Sequence, residues 1–167
     1  MRLKFFRLPI VFLFFFSLSS CSTESPTTPD IVTTTQKVIA NYTYDSTEIE
    51  TLNLINTYRK SIGLKSLEKI NYISVKSEEH NNYMIANNVV NHDNFPTRTQ
   101  NIIQTIGAIK VAENIAFNYS TAQGVLDAWL KSRGHKANIE GDFTHFGISI
   151  RSNAEGKKYI TNIFVKK

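Results

Sequence analysis

The stretch "THFGISIRSNAEGKKYITNIFV", residues 144–165, decides the fold class. Two runs rich in β-forming residues, 144–151 and 158–165, flank the polar segment "SNAEGK". Two such runs joined by a glycine-containing turn predict an antiparallel hairpin.

Upstream of that hairpin the period changes from two to that of a helix. Ile49, Leu52, Ile55 and Ile62 fall on one helical face, and Thr47 with Glu50 has the spacing of a capping box. Gly63 supplies the stop. A second helix is expected over 71–89, with Ile73, Ser77, His80 and Met84 near one stripe. Pro96 and Thr97 introduce a third over 98–106, closed by Gly107. A fourth is expected over 121–133, with Val125, Ala128 and Trp129 inward and Gly134 as its stop. The segment "KVAENIAF" (110–117) reads as a further strand. Helices first and strands later predict an α+β domain with helices packed on a sheet.

The N-terminus is of another kind. Arg2, Lys4 and Arg7 form a basic head, followed by an apolar run over 8–16 and the small residues Ser17, Ser19 and Ser20. The run is shorter than the roughly 20 residues a membrane span needs. The pattern predicts a signal peptide over 1–20. Cys21 is the only cysteine and follows Leu18-Ser19-Ser20. That setting resembles the bacterial lipobox, which implies lipid attachment at Cys21 and a protein exported and anchored to the cell envelope, at the outer membrane or cell surface. The polar, proline-containing residues 21–45 read as a flexible tether, leaving 46–167 as one domain.

The chain carries 19 basic and 14 acidic residues, net +5. Without Arg2, Lys4 and Arg7 the balance is 16 to 14, net +2, and no basic stripe remains, so no nucleic-acid partner is expected. One cysteine cannot staple a fold, and with Cys21 set aside there is no cysteine nucleophile. Neither a His-Glu-x-x-His nor a Gly-x-Ser-x-Gly motif is present, and no glycine-rich phosphate loop.

Three polar residues stand out. His92, beside Asp93, follows the second helix; Glu113 lies within an otherwise apolar strand; His135 follows the stop of the fourth helix. A carboxylate in such a strand needs partners or a shifted pKa. From spacing alone, scattered structural residues and a convergent site are both open readings. His80, on an apolar stripe, reads as core-edge packing.

The pieces "LNLINTYRKSIGLKSL" (52–67), "NHDNFPTR" (91–98), "IGAIKVAENIAF" (106–117), "VLDAWLKSRGHKANI" (125–139) and "FTHFGISI" (143–150) occur in an order that resembles the bacterial branch of the CAP superfamily, the SCP-like extracellular domain. The resemblance implies an α-β-α sandwich, three layers with a central antiparallel sheet. It also implies a cleft in which His92 matches the first histidine, Glu113 the acid of the "AEN" motif and His135 the second histidine. A second acid, three residues after the helical tryptophan, is Ser132 here. Arg98 matches a position near the cleft loop. Two imidazoles and a carboxylate imply a site for a divalent metal such as zinc, with His92 and His135 as ligands. Members of the superfamily bind lipids, sterols, glycans or proteins. The expected function is therefore a non-catalytic binding module tethered to the membrane through its N-terminal lipid. The alternative is a metal-dependent hydrolase of peptide or envelope polymer.

Overall fold

The structure, a computed structural model, describes residues 40–167. The expected signal peptide, Cys21 and most of the expected tether lie outside the described residues. The order of elements is α1 (Ser46–Ser61), β1 (Glu68–Lys69), α2 (Asn71–Asn87), α3 (Phe95–Ile106), β2 (Lys110–Phe117), α4 (Ala122–Lys131), α5 (Arg133–Ile139), β3 (His145–Ser152) and β4 (Lys158–Lys166).

The hairpin β3–β4 forms as the sequence predicts, and β2 adds antiparallel to β4 over its whole length. One expectation is corrected: the sheet is mixed. The two-residue β1 pairs parallel with β3, and the strand order is β1-β3-β4-β2. Two residues carry no periodicity, so nothing in the sequence announces β1.

Alternation along the strands divides the core in two. Phe146, Ile148, Ile150, Ile160 and Phe164 face α1, α4 and α5, where Leu52, Ile55, Val125, Trp129 and Ile139 complete one cluster. Ile163 and Val165 face the other way and pack with Ile73 of α2 and Ile102 of α3. The domain is thus an α-β-α sandwich with helices on both faces. Helix α2 lies close on the sheet because Gly147 offers no side chain: a Cβ there would lie 2.5 Å from the Ser74 nitrogen. Ser77 Oγ then donates to the Gly147 carbonyl at 3.1 Å, and Asn81 Nδ2 to that of Ser149 at 2.7 Å.

Helix boundaries move where side chains compete for the backbone. The capping box of α1 is Asp45 with Glu48, two residues before the expected pair. Glu48 wins because its carboxylate is fully buried and also accepts from the Ile150 amide at 2.7 Å. Ile62 falls on the C-cap and stays exposed, and Arg59 takes the buried position in that last turn. Helix α3 starts at Phe95 with Pro96 in its first turn, so Arg98 lies inside the helix. The chain also joins the fold before residue 46: Tyr42 donates to Glu48 Oε1 at 2.7 Å and Tyr44 hydrogen-bonds Ser74 Oγ at 2.8 Å.

The largest shift concerns His135. Helix α4 ends at Lys131 because Ser132 is extended (φ −88°, ψ 119°), and Ser132 then serves as the N-cap position of α5. Gly134 is no stop. It lies inside α5, and so does His135.

Candidate functional site

Strand β2 is the sheet edge on which the site is built. Successive residues of a strand point to opposite faces, so Glu113 and Asn114 part company. Glu113 turns to the α2/α3 face. There Arg98 Nε donates to its Oε2 at 2.8 Å and Arg98 Nη2 to its Oε1 at 2.9 Å. His92, in the α2–α3 loop, brings Nδ1 to 2.9 Å from Oε1. Glu113 and Arg98 are both buried, whereas the His92 side chain is half-exposed, with its Nε2 free of the Glu113 contact. A two-pronged guanidinium with an added imidazole satisfies a buried carboxylate well.

His80 belongs to the same cluster. It is buried on α2, as the apolar stripe predicts, and its Nε2 lies 3.8 Å from Glu113 Oε1. The same nitrogen donates to the Asn91 carbonyl at 2.8 Å, one residue before His92. His80 is therefore both packing and a fastener of the His92 loop. Burial, above all, pushes its imidazole below the usual histidine range, against the pull of the Glu113 carboxylate. Tyr83, one turn on, stacks over His80 and donates to Asp93 Oδ2 at 2.9 Å.

Asn114 turns to the α4/α5 face, where its Nδ2 donates to the His135 carbonyl at 3.0 Å. Asn138 Nδ2 donates to Asn114 Oδ1 at 2.8 Å and reaches the Glu113 carbonyl at 3.2 Å. These bonds fasten α5 to the edge strand, and with it His135. The indole of Trp129 donates to the Ile115 carbonyl at 2.9 Å, and its ring is core, as expected. Beside His135 opens a groove of about 440 Å³ lined by Val90, Phe117, Tyr119, Trp129 and Ser132 among others. Burial first, and then the charge of His92 nearby, hold the His135 imidazole below its usual pKa. So His92 and His135 reach one edge of the sheet from opposite faces, and of these two Glu113 touches only His92.

This arrangement constrains the expected metal set. Both Glu113 oxygens are engaged by a buried guanidinium and by His92, so a metal would have to displace Arg98 to be ligated there. Among the described residues, no group of three or more His, Cys, Asp or Glu side chains is placed to hold a metal ion. A three-donor zinc centre does not fit these residues. Arg98 was legible in principle: a carboxylate in an apolar strand demands a cation, and Arg98 follows the His92 loop. Asn114 and Asn138 gave no sequence signal, because their role depends on which face of the sheet α5 covers.

The profile of the CAP, cysteine-rich secretory protein, family matches residues 52–165. The chain belongs to this family. Over 135 residues it is 28% identical to the uncharacterized membrane protein YlbC of Bacillus subtilis, covering 73% of this chain and 35% of that protein. The chain spans between about a third and a half of the length of the curated relatives it matches. Its fold is shared with an extracellular protein containing an SCP domain from Bacillus anthracis (26% identity, TM-score 0.65, 72% of this chain and 40% of that one). It is also shared with an outer surface protein from Borrelia burgdorferi (19% identity, TM-score 0.65, 77% of this chain and 99% of that one). The mixed sheet with helices on both faces is thus the CAP fold.

Proposed function

We propose that this CAP protein is an exported, lipid-anchored envelope protein whose His92/Glu113/His135 cleft binds a ligand or partner and performs no hydrolysis. One observation carries the reading: Glu113 is already consumed. A general base must present a free oxygen to the proton it takes, and here both oxygens are committed to Arg98 and His92. Ser132, where the resemblance implies a second acid, offers no carboxylate to replace it. What remains open toward the solvent is His92 Nε2, His135 and the part-apolar groove beside it. That set suits recognition of a lipid, glycan or protein surface.

Export and anchoring rest on the N-terminal pattern and Cys21, and relatives described as a membrane protein and an extracellular protein support them. Among the described residues no helix is long and apolar enough to cross a membrane.

The test is to assay the purified protein against peptide and envelope-polymer substrates, with and without added zinc, while measuring its retention on isolated envelopes. Retention that His135→Ala or Tyr119→Ala weakens, with no turnover, is the expected result. Hydrolysis that disappears in His92→Ala would overturn the binding reading and restore the metal-dependent hydrolase.

A further inference from the structure

A second polar groove, of about 670 Å³, shares no lining residue with the histidine cluster. Its walls are the loop 63–66 after α1 with Glu68 of β1, the connection 140–144 with His145 at the start of β3, and Lys166 and Lys167. Its floor contains Arg59, only 2% exposed. Arg59 Nε donates to the Lys65 carbonyl at 2.9 Å; Nη1 donates to the Ile139 carbonyl at 2.6 Å and to that of Gly141 at 3.0 Å. The guanidinium therefore ties both walls together. No carboxylate forms an ion pair with it, although the charge of Asp142 acts on the guanidinium from nearby. Asp142 is taken by Lys166 at 2.6 Å, and Glu140 accepts from the Tyr58 hydroxyl at 2.6 Å. A buried charge normally has a paired opposite charge. Among the described residues, Arg59 Nη2 has no hydrogen-bond partner, and Arg59 lines the groove.

We propose that this groove binds a phosphate-class oxyanion, held by Arg59 Nη2 from below and by Lys65 and Lys167 from the walls. The geometry selects the class of anion. A planar carboxylate is gripped by two parallel N–H bonds from one edge of a guanidinium. Here Nε and Nη1 are spent on carbonyls, so no two-pronged edge remains. One nitrogen is left, and the other cations approach from separate walls. Lys65 and Lys167 form no ion pair among the described residues. A tetrahedral group with several oxygens meets donors from separate directions more readily than a carboxylate that is gripped along one edge. Free phosphate, a phosphodiester in a polymer and a lipid headgroup share this chemistry.

The experiment is a heteronuclear NMR titration of the purified protein with inorganic phosphate, against sodium chloride at matched ionic strength. Saturable shifts at the amides of Lys65, Gly141 and Thr144, absent with chloride and absent at Glu113 and His135, are expected. Lys65→Glu with Lys167→Glu alters two exposed side chains, preserves the fold and should weaken phosphate at least tenfold. No saturable shift, shifts that chloride reproduces, or an affinity untouched by the double charge reversal would each overturn the site. Two further arms assign the source. Retention on phosphatidylglycerol vesicles but not on phosphatidylcholine vesicles, lost in the double variant, marks a lipid headgroup. Competition by soluble glycerol phosphate without vesicle retention marks a free or polymer-borne phosphate.

Discussion

Glu113 and Asn114 are neighbours in β2, and they fasten the His92 loop and helix α5 from opposite sides of the sheet. Glu113 holds His92 at 2.9 Å on the α2/α3 face, and Asn114 holds the His135 carbonyl at 3.0 Å on the α4/α5 face. One dipeptide on an edge strand thus sets the relation between two imidazoles that lie 43 positions apart in the chain.

The Arg98–Glu113 pair should show strong coupling. Arg98→Ala leaves a buried carboxylate without its cation and is expected to cost about 3–5 kcal/mol. Arg98→Met combined with Glu113→Leu should recover most of that loss, because an apolar pair needs no compensation. Urea denaturation of the single and double variants measures it. Equal losses in both would show that the pair is not a unit.

Asn114→Ala removes the donor to the His135 carbonyl and the shorter of the two acceptors of the Asn138 amide. A loss of roughly 1–3 kcal/mol is expected for a buried hydrogen-bonding group left unpaired. The imidazole resonances of His135 should move while those of His145 stay, since His145 lies on β3 away from α5. Unmoved His135 signals would mean that α5 is held by packing alone.

Gly147→Ala tests how closely α2 sits on the sheet. The added methyl meets the Ser74 nitrogen at 2.5 Å and the Ile73 carbonyl carbon at 2.8 Å, both backbone atoms that cannot swing aside. A destabilisation of about 1–3 kcal/mol or more follows from overpacking. The displaced helix should also shift the signals of His80 and His92. A melting temperature equal to that of the unchanged protein would contradict the close approach.

Stability should fall as the pH drops below about 6.5. His80 and His135 both have folded-state pKa values below the ordinary histidine value, mainly through burial. The unfolded chain therefore takes up protons first. The contribution of each is complete above the unfolded pKa and is lost as the pH falls toward the folded one. His80→Gln keeps a donor for the Asn91 carbonyl and removes the titration, so the drop between about pH 7.5 and pH 5 should shrink in that variant. Denaturation curves at the two pH values decide it, and an undiminished drop assigns the pH response to other groups.

Much of the fold was legible because its signals are local. Asn71–Asn87 buries the stripe Ile73, Ser77, His80 and Met84 that periodicity marks, and Gly107 closes α3 in the left-handed region at φ 67°. The hairpin turns near Gly156, at φ 75°, between two runs of strand period. Where local signals competed, the sequence misled. Gly134 looked like a stop, but the extended Ser132 broke the helix earlier and left His135 inside α5. Thr47 and Glu50 had the capping spacing, but burial of Glu48 against β3 moved the box.

The sequence by itself determined the helices, the hairpin, and the oddity of a carboxylate within an apolar strand, because each follows from residue type and spacing over a few positions. It also marked His92, Glu113 and His135 through the order of their motifs. Only the tertiary structure decided what Glu113 does. Its cation lies 15 residues away on helix α3, and His135 belongs to the opposite face of the sheet. Such pairings depend on which side of an edge strand each helix covers. That is fixed by burying apolar stripes on both faces at once, and no local run of residues contains it.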